Sequence, residues 1–196
     1  MVKQLKKMSA TLIDIKKITY SEFRQMEFDD NDRFLYELIN GVLIKKTAYQ
    51  PLHQRISSKL FFQLNNFIEK GTLGEVFYGP LDVFLDQENV PQPDLVFVSN
   101  ARLSIIDDKD GILGVPDLVV EIISPSSIRL DRVDKKELYE GFCIPEYWLI
   151  DPKNTAIEIF YFQSGRYKSV AFANELSDKV ASTVLAGFEV VLSDIF

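Results

Sequence analysis

The stretch GVPDLVVEIISPSS, residues 114–127, constrains the fold more than any other part of the chain. Its short, β-branched apolar run from Asp117 to Ile123 has a proline on each side, which predicts a strand buried on both faces of a sheet. Glu121 stands inside that run, where a carboxylate is costly unless a cation or strong hydrogen-bond donors meet it. The partners of Glu121 are therefore the main question that the sequence raises.

Length and composition favour one domain without membrane spans. The chain has 196 residues, 46% of them hydrophobic and 26% charged, which suits a single core. We expect an N-terminal tail over residues 1–18 and one domain over residues 19–196. No apolar run approaches the roughly 20 residues of a membrane span, and the basic start lacks the apolar core of a secretory signal. Cys143 is the only cysteine, so we expect a cytoplasmic protein in which Cys143 is a small core residue.

The single histidine and the acidic balance limit the ions and partners of the chain. Because His53 is the only histidine, a metal would be held mainly by carboxylates and backbone oxygens, which suit Mg²⁺ or Mn²⁺. The net charge of −7 is unfavourable for a general polyanion binder, since phosphate contacts depend on lysine and arginine. The segment RLDRVDKK, residues 129–136, is either a small basic patch or a solvated helix face.

Hydrophobic patterning predicts an α/β fold with one mixed central sheet flanked by helices, and with additional β-hairpins. The dipeptides Asn40-Gly41 and Ser164-Gly165 each separate two apolar runs, which is typical of a hairpin. Residues 117–151 read as strand, helix and strand, which predicts a right-handed crossover between parallel strands. A doubly wound nucleotide fold is not expected, because no glycine-rich phosphate loop is present. Other strands are expected over residues 75–78, 81–85 and 94–98.

Three helices are also expected. Thr19 and Glu22 have the spacing of a capping box, which predicts a short helix after Thr19. Apolar residues at helical spacing run from His53 to about Lys70, and Gly71 is the expected left-handed residue at the end of this helix. A third helix is expected to begin at residue 127 or 131 and to reach residue 139.

Two strands carry the same tripeptide, PDL, and with it several carboxylates. Asp94 opens one strand, while Asp117 opens the other with Glu121 four residues later. Because side chains alternate along a strand, Asp117 and Glu121 share a face, and Asp94 can approach Glu121 if the strands are neighbours. A divalent cation between Asp94 and Glu121 would remove their repulsion. Both aspartates follow a proline and can instead cap turns, which we favour for Asp117.

The next helix brings a lysine into the same region. Asp131, Lys135 and Tyr139 repeat every four residues and so share one face. Lys135 can lean over the Glu121 end of the strand, where it would stabilise charge on a phosphate or orient a water. A second interpretation stays open, in which Glu121 and Lys135 form an ion pair that only holds the helix on the sheet.

Several motifs together resemble a known family. The order PDLVFV, VPDLVVEIISPSS and DRVDKKELYEGFCIPEYWLIDP, with YELINGVL and HQRISSKL upstream, is similar to restriction endonucleases with the restriction-endonuclease-like fold. That family lies within the PD-(D/E)XK superfamily of Mg²⁺-dependent nucleases. The resemblance covers residues 20–195, and the combination of PDLVxEIxSPS with GxxEYWLID makes it specific.

The resemblance implies roles for individual residues. Asp94 matches the first acid of the superfamily pattern and Glu121 the second, while Ile123 stands where the pattern has its lysine. The resemblance therefore implies that Lys135, on the following helix, takes the place of the lysine of the superfamily pattern. It also implies that the backbone carbonyl of Ile122 contacts the metal.

Two residues further upstream have less definite roles. Glu37 is the candidate for an early acid that completes the site, or it is a polar residue on the solvent side of its hairpin. His53 contacts substrate or starts its helix, and we favour the structural role.

The function implied by the resemblance is Mg²⁺- or Mn²⁺-dependent hydrolysis of DNA phosphodiester bonds, with no covalent intermediate. Two alternatives stay open: a nuclease-fold domain that no longer cuts and serves as a binding or assembly module, and a structural protein with a buried Glu121–Lys135 pair. The acidic charge and the missing Glu-x-Lys lysine count in favour of the first alternative, the domain that no longer cuts. DNA is the expected partner, and a homodimer would supply more basic surface than one chain displays.

Overall fold

A computed structural model shows an α/β fold over the described residues, 17–27, 34–46 and 50–196. The α-helices are α1 (Tyr20–Phe23), α2 (Pro51–Gly71), α3 (Lys136–Gly141) and α4 (Leu192–Ile195). A 3-10 helix spans Asn100–Ile105, and a π-helical stretch spans Leu130–Lys135. The strands are β1 (Leu35–Ile39), β2 (Val42–Lys46), β3 (Gly74–Tyr78), β4 (Leu95–Ser99), β5 (Ile106–Asp107), β6 (Gly111–Ile112), β7 (Leu118–Ile122), β8 (Glu146–Asp151), β9 (Ala156–Gln163), β10 (Arg166–Ala173), β11 (Lys179–Ala181) and β12 (Glu189–Val191).

A six-stranded mixed sheet forms the centre of the molecule, in the order β10-β9-β8-β7-β4-β3. Strands β7 and β8 are parallel, as predicted for the strand–helix–strand region, and the other neighbouring pairs of this sheet are antiparallel. Every residue of β7 is buried, which confirms the prediction for the strand around Glu121. The predicted mixed central sheet with flanking helices is also confirmed.

Helices cover both faces of this sheet. On one face, α2 buries Ile56, Leu60 and Leu64 in a core that it shares with β7 and β8. On the other face, α3 buries Leu138 and Tyr139 in a separate core. Alternate residues of β7 contribute to these two cores, and this alternation places Glu121 on the face that α3 covers.

Both predicted hairpin turns are present. Asn40 and Gly41 connect β1 to β2 with φ angles of 52° and 75°. Ser164 and Gly165 connect β9 to β10 with φ angles of 55° and 83°. A positive φ at both central residues is the hairpin geometry that suits the right-handed twist of the strands.

The predicted strand over residues 81–85 is wrong. In this segment Val83 forms only an isolated bridge with Ile112, and its amide donates to the carbonyl of Pro91 at 3.0 Å. The neighbouring segment contains Pro91 and Pro93, which have no amide hydrogen for a continuous ladder. An apolar run does not form a sheet strand when the neighbouring segment lacks the amide hydrogens needed for regular pairing.

The end of α2 also differs from the prediction. Gly71 is the last helical residue, and Thr72 takes the left-handed conformation with a φ of 48°. Gly71 lies close to the Leu73 side chain, and a Cβ there would lie 2.8 Å from Cγ of Leu73 unless that side chain moved. The predicted burial of Cys143 is wrong as well: Cys143 is exposed in the turn after α3. The capping box of Thr19 and Glu22 is confirmed at the start of α1.

The N-terminal region is described only from residue 17 onward, so the predicted tail lies almost wholly outside the described residues. Ile18 already packs against Leu38 and Val90. Within the described ranges, no helix has both the length and the apolar character needed to cross a membrane.

Candidate active site

A cleft of about 980 Å³ opens where β7 ends. Glu121 and Ile122 line it from the last two positions of this strand, and Asp94 lines it from the position before β4. His53, from the first turn of α2, and Asp131, from the π-helical stretch, also line the cleft. One helix, two strands and the crossover connection therefore converge on the same place.

The register of two strands brings Asp94 and Glu121 together, as predicted. In the antiparallel pair of β4 and β7, Leu95 lies opposite Val120. The amide of Asp94 continues this ladder by donating to the carbonyl of Val120 at 3.0 Å. The strand pairing ends at Leu95 and Val120, and the next residue along from each, Asp94 and Glu121, lines the cleft.

Asp94 is held through one of its two carboxylate oxygens. Its Oδ2 accepts hydrogen bonds from Nε2 of His53 at 3.0 Å and from the amide of Ile122 at 2.7 Å. Its Oδ1 is buried and has no hydrogen-bond donor among the described residues. Burial tends to raise the pKa of Asp94, but the hydrogen bond from His53 and the charge of Lys46 keep that pKa below its ordinary value. Asp94 is therefore an ionised carboxylate, and its side chain does not cap a turn.

Glu121 meets a cation and a hydroxyl. Its Oε1 lies 2.7 Å from Nζ of Lys135 and accepts a hydrogen bond from the Tyr139 hydroxyl at 2.6 Å. Glu121 is only 1% exposed, and this burial is the main cause that raises its pKa to about 8. The negative charges of Asp131 and Asp94 raise the pKa further, against the effect of Lys135. The carboxylate thus gains from any additional positive charge that enters the cleft.

Lys135 lies between two carboxylates. Its Nζ is 2.7 Å from Glu121 and 2.9 Å from Oε2 of Glu37, and the side chain is 0% exposed. Oε2 of Glu37 also accepts the amide hydrogen of Gln92 at 3.0 Å, and Oε1 lies 3.6 Å from Nζ of Lys46. Burial opposes ionisation of Glu37, but Lys135 and Lys46 lower its pKa below the ordinary value.

This geometry decides one alternative for Glu37. Glu37 is 1% exposed, so its placement on the solvent side of the hairpin is wrong. Glu37 and Lys135 are not among the described residues that line the cleft. Both therefore act on the cleft through Glu121 in this arrangement.

The buried cluster carries an excess of negative charge. Asp131 is 2% exposed, and burial raises its pKa to about 6. Four buried carboxylates meet two lysines here, so the ionised cluster has two more negative than positive charges, apart from His53. Its members are Glu37, Asp94, Glu121, Asp131, Lys46 and Lys135. This excess equals the charge of one divalent cation.

Side chains supply only part of the oxygen ligands that a hard cation needs here. Among the described residues, no group of three acidic, histidine or cysteine side chains is arranged to hold a metal. The unsatisfied Oδ1 of Asp94 and the second oxygen of Glu121, Oε2, are the carboxylate atoms that a cation can use. Ile122 lines the cleft beside both acids, and its backbone carbonyl or water would complete the shell.

Asp117 lies away from this cleft and stabilises the opposite end of β7. Its Oδ2 accepts the amide hydrogen of Ser99 at 2.8 Å, and its Oδ1 lies 3.4 Å from Nε of Arg102. These contacts join the start of β7 to the end of β4. Asp117 therefore has structural contacts, but they join two segments of the sheet region and are not the turn cap that we expected.

The segment of residues 129–136 is neither a single basic patch nor a uniformly solvated face. Arg129 is exposed, whereas Lys135 is buried. Arg132 points to the wall of the cleft, where it lies 2.5 Å from Oδ2 of Asp151. Only part of the positive charge in this segment is therefore available to a ligand in the cleft.

Sequence reasoning gave no site role to Lys46 and Tyr139, and it favoured a purely structural role for His53. Lys46 had a usable signal: a two-residue turn at Asn40-Gly41 pairs residue 37 with residue 44, and residue 46 is then the next position on that face. Tyr139 had the four-residue spacing from Lys135. The contact of His53 depends on how α2 lies over the sheet, which no local pattern specifies.

The fold that carries this cleft is that of a solved nuclease-class structure. The crystal structure of a "putative nuclease" belonging to DUF820 from Anabaena variabilis ATCC 29413 matches with a TM-score of 0.73. The match covers 91% of this chain and 97% of that chain at 20% sequence identity. At this identity the likeness shows the fold, a mixed sheet flanked by helices. No curated protein matches the chain.

The family is shown by a second comparison. The model of the Uma2 family, described as "putative restriction endonuclease", matches residues 20–193. The chain belongs to this family, which confirms the resemblance found in its sequence. Membership supports a nuclease function for the cleft.

Proposed function

We propose that the protein is a divalent-metal-dependent endonuclease that hydrolyses phosphodiester bonds of DNA. The observation that carries this proposal is the pair of buried acids, Asp94 and Glu121, which line the same cleft of a Uma2-family chain. Buried carboxylates that contact too little positive charge lower the stability of the fold. A bound divalent cation would offset this penalty.

Asp94, Glu121 and the backbone carbonyl of Ile122 are the groups that would hold Mg²⁺ or Mn²⁺. Asp94 enters already ionised, with Oδ1 unsatisfied. Glu121 is fixed through Oε1, which leaves Oε2 for the cation. When bound, such a cation polarises a phosphate and lowers the pKa of a water that attacks it.

Lys135 would supply the remaining positive charge of the active site. Its ammonium group lies 2.7 Å from Glu121 and would offset part of the negative charge that the acids and a phosphate bring to the end of β7. Glu37 and the amide of Gln92 keep this arrangement in place from behind. No covalent intermediate is part of the proposal, because water is the nucleophile.

A second candidate is favoured by the burial of Lys135. Lys135 is 0% exposed and has two carboxylate partners, and in this second candidate its role is to hold the helix that follows β7 on the sheet. The domain would then be a nuclease-fold binding or assembly module, or a purely structural protein. Metal binding and DNA cleavage separate these cases.

The test is nicking of supercoiled plasmid DNA with Mg²⁺ or Mn²⁺, together with calorimetric titration of Mn²⁺. We expect metal-dependent nicking by the wild type, and loss of nicking and of metal binding in Glu121→Gln and Asp94→Asn. Glu69→Gln is the matched control, because Glu69 is exposed near the end of α2. Metal binding without nicking of plasmid or of single-stranded DNA and RNA would favour the binding module. No metal binding at all would leave the structural ion pair.

A further inference from the structure

The two oxygens of Asp94 have unequal surroundings, and the proposed function alone does not explain why. Oδ2 accepts two hydrogen bonds, from His53 and from the amide of Ile122. Oδ1 accepts none among the described residues, although it is buried. A buried carboxylate oxygen without a donor is unfavourable, so the two hydrogen bonds at Oδ2 hold Asp94 in an orientation that leaves Oδ1 unsatisfied.

His53 is the side chain that contributes most to this orientation. Its Nε2 lies 3.0 Å from Oδ2, and its side chain is only 9% exposed. Oδ2 is a carboxylate oxygen that also accepts the amide hydrogen of Ile122, so we take Nε2 as the donor in this contact. The imidazole thus has a defined tautomer and a defined partner across the wall of the cleft.

The helix does not need His53 in order to begin. The N-cap of α2 is Gln50, which makes no side-chain cap, and Pro51 occupies the first turn. His53 is then a third-position residue whose imidazole turns away from the helix axis to reach Asp94 across 41 residues of chain. Glutamine and leucine have higher intrinsic helix propensity than histidine, so a substitution tests the contact and not the helix.

We propose that His53 is a positioning residue, which holds Asp94 through Oδ2 and keeps Oδ1 available to a divalent cation. This inference rests on the proposed function and adds a residue to it. Groups that orient a metal-binding carboxylate typically change metal affinity by about 10- to 100-fold when they are removed. The same hydrogen bond from a different side chain should restore the affinity, whereas a structural filler should not.

The test compares the Mn²⁺ dissociation constants of the wild type, His53→Leu, His53→Gln and Gln54→Leu by calorimetry, with thermal unfolding of each. His53→Leu removes the donor, and His53→Gln offers an amide N–H at a similar distance from the backbone. Gln54→Leu is the matched control, because it adds the same apolar side chain at the adjacent exposed position. We expect His53→Leu to bind Mn²⁺ at least about tenfold more weakly than the wild type. His53→Gln should recover most of this affinity, and Gln54→Leu should bind like the wild type.

A second measurement uses the fact that His53 is the only histidine of the chain. Its imidazole nitrogens therefore give a single set of ¹⁵N signals. We expect a protonated Nε2 whose signal shifts when diamagnetic Mg²⁺ is added to the wild type. The shift should be absent in Asp94→Ala.

The outcomes separate this inference from the proposed function. If the wild type binds Mn²⁺ and His53→Leu binds equally well at a lower melting temperature, His53 is structural and the inference fails while the metal site stands. If His53→Gln is as weak as His53→Leu, the hydrogen bond is not what matters, and the inference fails in the same way. If the wild type binds no metal, both the proposed function and the inference are overturned.

Discussion

Asp94 and Glu121 show how two equally buried carboxylates acquire different chemistry. His53, the Ile122 amide and Lys46 stabilise the charged form of Asp94, and its pKa stays low. Burial and the charge of Asp94 raise the pKa of Glu121 to about 8, although Lys135 opposes them. Near neutral pH the cleft thus combines one permanent anion with one acid that ionises fully only when more positive charge arrives.

This difference predicts how metal affinity depends on pH. Glu121 has a pKa of about 8 in the metal-free protein, so below pH 8 the cation must displace a proton from it. Affinity for Mn²⁺ should therefore rise as the pH increases from 6 to 8 and level off above that value. Calorimetry at several pH values, in buffers of different ionisation enthalpy, measures both the affinity and the proton release.

The Glu121→Gln variant is the control for that experiment, since it lacks the titrating group. Any residual binding by this variant should change little over the same pH range. Equal affinity of the wild type at pH 6 and pH 8, without proton release, would contradict a cation that displaces a proton from Glu121.

At the scale of elements, a different buried carboxylate attaches the C-terminal segment to the sheet. Oε1 of Glu146, at the start of β8, accepts hydrogen bonds from the Trp148 indole and the Ser182 hydroxyl. Oε2 accepts the amide hydrogens of Thr183 and Val184. All four donors are satisfied by one side chain that is 0% exposed, so Glu146 is a structural acid and not part of the cleft.

Glu146→Gln should destabilise the fold strongly. The NH₂ group of the glutamine would replace one carboxylate oxygen and would face two hydrogen-bond donors. This should lower the free energy of unfolding by about 2–5 kcal/mol. The exposed Glu189, which pairs with Lys179 at 2.7 Å, offers a matched Glu189→Gln control that should cost less than about 1 kcal/mol. Chemical denaturation of both variants measures the difference, and equal stabilities would contradict the role of Glu146.

The elements also show what could be predicted from the sequence. Alternation along two neighbouring strands that share PDL predicted that Asp94 and Glu121 lie in one cleft, and the position of Lys135 on the next helix predicted its contact with Glu121. These contacts follow from local periodicity once the strands are neighbours. The hydrogen bond of His53 to Asp94 depends on how α2 crosses the sheet, which is a tertiary property.

The failed predictions have the same physical origin. The strand over residues 81–85 fails because its partner contains prolines, and pairing is decided by two segments together. Gly71 does precede a left-handed residue, but contact with Leu73 determines its position in α2. The π-helical stretch Leu130–Lys135 lies in the segment that carries Asp131 and Lys135 to the cluster, and the four-residue spacing did not reveal it.

At the scale of the whole molecule, the net charge of −7 limits how the chain can contact DNA. Among the described residues, the basic side chains that line the cleft, apart from His53, are Lys45, Lys46, Arg132 and Lys153. Lys46 and Arg132 already have acidic neighbours, Glu37 and Asp151. Binding of DNA by one chain should therefore involve few phosphate contacts.

The expected salt dependence is quantitative. With at most four phosphate contacts, the slope of log K against log salt should be no steeper than about −4 for duplex DNA. Fluorescence anisotropy with labelled duplex at several salt concentrations, in the presence of Ca²⁺, measures this slope. A much steeper slope would show additional basic surface, such as that of a second copy of the chain.

Binding of a divalent cation by Asp94 and Glu121 together is tested most directly by the anomalous difference map of a crystal soaked in Mn²⁺. We expect one strong peak between Oδ1 of Asp94 and Oε2 of Glu121, within about 2.0–2.6 Å of each oxygen. The same soak of Glu121→Gln crystals should give a weaker peak or none. A wild-type map without a peak at this position, at a Mn²⁺ concentration far above that needed for nicking, would contradict the account.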